Sequence, residues 1–213
     1  DGPAALGFAL ALAGARAKSS GKAIVFLALA HEARRGGSLY GRSLSAYGVT
    51  LSSLVLAFAR DVKQLLWAAE EAARSGDVGA LVIEGPGAHP LLDLTASRRL
   101  QLAAASSGAA AILIRTMTAP EPSAAEIRWR VAPALSGPRP YDAKASGNPR
   151  WRVEIERCRK GGRGAFLAEF RHEDQRLALL SPLPLFHSLA PRLVDRSPEG
   201  TCAGRDRCAD GSL

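Results

Sequence analysis

Residues 68–85, AAEEAARSGDVGALVIEG, carry the change of pattern that decides the fold. A helical run rich in alanine and glutamate breaks at Ser75-Gly76-Asp77 and gives way to an uninterrupted apolar run, Ala80-Leu81-Val82-Ile83, closed by Glu84. Alanine and glutamate are good helix formers, whereas a short apolar run bounded by turn residues is a strand buried on both faces. The stretch therefore predicts the end of a helix over 61–74 and a strand over 80–84.

The same alternation extends in both directions. Toward the N-terminus lie a strand over 23–30 (AIVFLALA), a helix over 39–47 and a strand over 54–59; toward the C-terminus, a helix over 91–107 and a strand over 110–115. An Ala/Leu-rich helix over 3–18 ends in Arg16 and Lys18, cations at the end the helix dipole favours. Doubly buried strands joined by helices imply right-handed crossovers and a mainly parallel α/β sheet.

Beyond Met117 the pattern changes. Prolines at 120, 122, 133, 138, 140 and 149 punctuate short β-like pieces over 126–131 and 151–158. Residues 150–157 (RWRVEIER) alternate polar and apolar side chains, as do 165–171 across the turn Gly161-Gly162-Arg163-Gly164. This half is expected to extend the central sheet with C-terminal antiparallel strands. From Arg196 there is little to bury, so one core over 1–195 and a disordered tail over 196–213 are expected. The chain opens at Asp1 without a methionine, and an N-terminal strand is expected to precede it.

With 213 residues, 47% of them hydrophobic, the chain can bury one full-sized core. Its 28 Lys and Arg against 20 Asp and Glu suit an acidic partner such as DNA, although Ala/Arg-rich proteins share that balance without binding nucleic acid. Cys158 falls in a strand, and Cys202 and Cys208 lie in the tail without a second pair or a histidine, so neither a disulfide framework nor a metal centre is expected. Reduced cysteines and the absence of a long apolar span make the cytoplasm the expected location, with no membrane contact. His89, His172 and His187 share no spacing with any nucleophile or ligand set.

The octet 2–9, GPAALGFA, spaces Gly2 and Gly7 as in a phosphate-binding loop, G-x-x-x-x-G-K-[ST]. That chemistry needs a lysine for the outer phosphates and a hydroxyl for magnesium; Phe8 and Ala9 stand there instead. Ser19-Ser20-Gly21-Lys22 imitates the end of such a loop, but it follows a helix and precedes a strand, the reverse of what phosphate binding requires.

These segments fall in the order of the RecA core, and GPAALGFA resembles its loop GPESSGKT with the reactive side chains replaced. Residues 25–31 are similar to the RecA segment ending D-A-E-H-A, with Ala30 at the position of the glutamate that activates water and Glu32 a shifted acid or a solvated one. Residues 39–49 (LYGRSLSAYGV) resemble a short RecA helix ending L-G-V. In 68–85, Glu84 takes the place of the magnesium-associated aspartate. The stretches LDLTASRRLQLAA (92–104), AILIR (111–115), RWRV (128–131), WRVE (151–154) and Arg157-Cys158-Arg159 are similar to the ImuA family, RecA-like proteins of damage-induced mutagenesis.

The resemblance implies a RecA-like P-loop core, no catalysis, no cofactor and no metal. It also implies an accessory role in SOS translesion synthesis through a polymerase-like partner, with RecA and DNA as further partners. Arg128, Arg130, Arg150 and Arg152 flank tryptophans, and Arg157, Arg159, Lys160 and Arg163 surround a turn; these are the candidate DNA or partner contacts. In a strand the tryptophans can instead face the core while the arginines face solvent. The short Gly85–Pro90 stretch leaves little room for a recombinase-type DNA loop. The apolar segment 183–193 reads as a packing strand end or a docking peptide. The alternatives are an active DNA-dependent ATPase using Lys22, or a simple basic DNA-binding module.

Overall fold

The apolar runs form a four-stranded sheet, β1 (Ala23–Leu29), β2 (Leu54–Ala59), β3 (Val78–Glu84) and β4 (Ala110–Ile114), in the order β2-β1-β3-β4 with every pairing parallel. The computed structural model describes residues 2–37, 39–116, 121–139, 141–142 and 145–183. Among these, no helix is long and apolar enough to cross a membrane.

One face of the sheet is covered by α4 (Val62–Arg74) and α5 (Leu94–Ser107). Leu65, Ala69 and Ala73 from α4, with Leu100, Ala103 and Ala104 from α5, pack on Val25, Leu27, Leu81 and Ile83. Both helices start on aspartate caps: Asp61 accepts from the Gln64 amide at 2.8 Å and Asp93 from the Ala96 amide at 2.7 Å. The other face receives α1 (Gly2–Ser20), whose Ala9, Leu10 and Ala13 pack on Ile24, Phe26, Ala80 and Val82. Between β1 and β2 come two short helices, α2 (Ala30–Gly36) and α3 (Gly41–Ala46), where a single helix over 39–47 was expected.

The second half departs from expectation. β5 (Ile127–Ala134), β6 (Arg150–Cys158), β7 (Gly164–Arg171) and β8 (Arg176–Leu183) form their own antiparallel meander and do not extend the parallel sheet. The cause is α1, which is apolar all round and so must be covered on both sides. Ala4, Phe8 and Ala11 present its second face to Trp151, Val153, Ala168 and Phe170. The layers are thus α4 and α5, the parallel sheet, α1, and the antiparallel sheet. Gly14 lets the residue that caps α3 lie against α1: a Cβ at Gly14 would collide with the backbone carbonyl of Tyr47.

Candidate functional site

Open parallel sheets bind ligands outside the C-terminal ends of their strands, where the strand order reverses direction. Here the chain passes from β1 to β2 on one side and then to β3 on the other, so that point lies between β1 and β3. Ala30 and Glu32 in the first turn of α2 lie at one lip and Glu84 at the other. Glu84, opposite Ala28 and Ile114 in the sheet, is half-buried. Its carboxyl is held above the usual glutamate range, first by burial and then by the charge of Glu32. Neither glutamate forms an ion pair with the described residues. The nearby Arg115 is engaged elsewhere, donating to the Gly87 carbonyl at 2.8 Å and to Glu121 at 2.9 Å. No cluster of three metal-ligating side chains occurs among the described residues.

The octet 2–9 opens α1, in keeping with the helix read over 3–18, so its two glycines lie within a helix. Gly2 does reach this edge, since a Cβ there would lie 3.3 Å from the Thr116 methyl. At 1.5 Å per residue, however, Phe8 lies about 9 Å farther down α1. It is 6% exposed, its ring edge-on to both Trp129 and Trp151 with centroids 5.8 Å apart in each case. Gly7 packs under Trp151 and near the Tyr47 hydroxyl, and Ala9 is buried against the parallel sheet. Lys22 precedes β1 and so stands at the opposite edge from Glu84, about 20 Å away along a seven-residue strand.

The candidate basic residues divide into two groups. On the sheet, Arg130 pairs with Glu156 at 2.5 Å and Arg150 with Glu169 at 2.6 Å. Arg128 donates to the Glu121 carbonyl and to Ser123 Oγ, and Arg152 is half-buried. Trp151 is buried against α1, and Trp129 packs beside it half-buried. At the β6–β7 turn, Arg157 reaches the Ser123 carbonyl at 2.8 Å, while Arg159, Lys160 and Arg163 are exposed around Gly161 and Gly162, both in the left-handed region. Cys158 is a free thiol beside this turn.

His172 lies against Tyr47 and Phe170 with Nδ1 3.2 Å from the Ala46 carbonyl, and His89 Nδ1 accepts from the Leu91 amide at 3.2 Å. Both fit local packing. Residues 184–213, which include His187, Cys202, Cys208 and most of the 183–193 segment, lie outside the described residues. The sequence reading also missed a cleft between α4 and α5 around Trp67, since no motif marks it.

No protein-family model matches the chain. Two proteins named Protein ImuA, from Caulobacter vibrioides strains NA1000 / CB15N and ATCC 19089 / CIP 103742 / CB 15, are each 34% identical over 195 residues. Each alignment covers 87% of this chain and 72% of the relative. The chain belongs to the ImuA family. A solved structure, SulA from Pseudomonas aeruginosa, superposes on 52% of this ImuA-family chain and 85% of its own, with a TM-score of 0.39 and 22% identity. That likeness is too slight to carry a functional argument.

Proposed function

We propose that this ImuA-family chain works in damage-induced SOS mutagenesis without turning over nucleotide. In this reading it is a non-catalytic accessory factor of translesion synthesis that holds a polymerase-like protein, with RecA and DNA as further partners. Family membership implies the mutagenesis role; the non-catalytic part is supported above all by Phe8. The residue where a phosphate loop would carry its lysine is a buried packing group between two tryptophans.

A capture experiment from cells exposed to a DNA-damaging agent tests this reading. The full chain is expected to bring down polymerase subunits, and purified protein to release no phosphate from ATP. Phosphate release abolished by Lys22→Ala would instead support the ATPase alternative.

The exposed turn favours DNA as one partner. If Arg159, Lys160 and Arg163 each meet a phosphate, the log-log salt dependence of duplex binding has a slope of about −2.7. Replacing all three with alanine flattens that slope; an unchanged slope removes the turn from the DNA contact.

A further inference from the structure

The face of α4 and α5 turned away from the parallel sheet carries an open cleft of 410 Å³, lined chiefly by apolar surface from Leu66, Trp67, Pro90 and Leu91. Trp67 is 62% exposed and Leu91 48%, with Leu94 close by in sequence at 52%. A tryptophan left in water beside an exposed leucine is unusual where the adjoining helix faces are packed, and contiguous apolar surface of this kind marks interaction sites. The volume falls within the range of about 300–1,000 Å³ typical of ligand clefts.

The charges around the cleft limit what fits it. Its two acids are already committed. Glu70, 4% exposed, accepts from Arg99 at 2.8 Å and lies 3.6 Å from Arg74, while Asp93 accepts from the first turn of α5. Glu71, on the same helix, is paired with Arg74 at 2.5 Å. The cations are less occupied: Lys63 makes no ion pair among the described residues, and the Arg99 side chain is 64% exposed although it holds Glu70. An incoming segment thus meets an apolar floor between Trp67 and Leu91, with cations at Lys63 and Arg99.

We infer that the cleft receives an amphipathic helix of another protein, bearing large apolar side chains one turn apart and carboxylates beside them. The apolar side chains enter between Trp67 and Leu91, and the carboxylates meet Lys63 and Arg99. A third helix can lie along the groove between two packed helices by the usual ridge-and-groove fit, with anchors at i and i+4. The chain's own 183–193 segment (LPLFHSLAPRL) is a poorer match, because its charges are Arg192 and a titratable His187, with no acid. This inference rests on the partner-binding reading above, but the two fail separately: a partner held elsewhere would still be captured from damaged cells while the cleft stayed empty.

The probe is a synthetic helical peptide with leucine and phenylalanine at i, i+4 and i+7 and glutamates beside them, titrated into the full chain while tryptophan emission is read. Trp151 is buried and Trp129 half-buried, so a blue shift reports Trp67. Binding with a blue shift is expected. Trp67→Ala should weaken binding, measured calorimetrically, about tenfold or more, as for a central aromatic anchor. Lys63→Glu should weaken it about threefold, as for an exposed ion pair. Both positions are exposed, so the fold should persist, and circular dichroism checks that it does.

Three results would overturn the inference. One is no emission change up to the solubility limit of the peptide. Another is equal binding of a counterpart with lysines in place of the glutamates. The third is a concentration-dependent dimer of the chain alone that Trp67→Ala dissolves, which would make a second copy the occupant.

Discussion

The two sheets bury their apolar surface by different rules. In the parallel sheet, β1 and β3 are apolar at nearly every position because α1 covers one face and α4 with α5 the other. In the antiparallel sheet, one face packs on α1 through Trp151, Val153, Ala168 and Phe170, while the strands also carry the pairs Arg130–Glu156 and Arg150–Glu169. One helix serves both sheets. The contrast teaches that arginines beside tryptophans in an alternating strand need no nucleic acid to account for them, whereas arginines in a glycine turn do lie open.

The largest expected effect comes from removing the group that joins the two sheets. Phe8→Ala should cost about 3–5 kcal/mol in denaturant unfolding, as for a buried aromatic in a packed core. A loss below about 1 kcal/mol would mean that the antiparallel sheet does not depend on α1. Gly14→Ala comes next. The added methyl meets the Tyr47 backbone, which cannot swing aside as a side chain can, and overpacking of this kind costs about 1–3 kcal/mol.

Asp61→Ala and Asp93→Ala test the helices over the parallel sheet alone. Each should lower stability by about 1 kcal/mol, read by thermal melting, through loss of an N-cap. The two losses should add, since the caps belong to separate helices.

The smallest effect concerns pH. Glu84 has a folded pKa above its unfolded one, so the folded state binds its proton more tightly, and stability falls as pH rises from the ordinary glutamate range through the raised value. Glu84→Gln should remove that loss: it stabilises modestly at neutral pH and leaves acid-side stability unchanged. Glu32→Gln should bring the Glu84 titration, followed by carboxyl NMR, back toward the ordinary range. An unmoved titration would separate the two lips of the site.

Much of the parallel half was legible because burial on both faces leaves a plain mark. The strand read over 23–30 matches β1, buried at all but its first residue, and the helix over 61–74 differs from α4 only by its cap, Asp61. The separate second sheet was not legible, because alternation tells that one face is covered but not by what. β8 went unread because an extra residue at Leu180 breaks its alternation: Leu179 pairs with Ala168 and Ser181 with Leu167. Pro182 further disguised it, although the end of a meander tolerates proline. The octet carries two patterns at once, the glycine spacing of a phosphate loop and the alanines of a helix, and the helix read over 3–18 matches α1. The Trp67 cleft depends on two helices being neighbours, which no local pattern states.

We propose that Phe8, where a phosphate loop would carry its lysine, serves as packing between the two sheets and not as a nucleotide contact. Isothermal titration of a non-hydrolysable ATP analogue with magnesium into the purified full chain tests it most directly. The account predicts no saturable heat. Magnesium-dependent binding near micromolar affinity, lost on replacing Glu84, would contradict it.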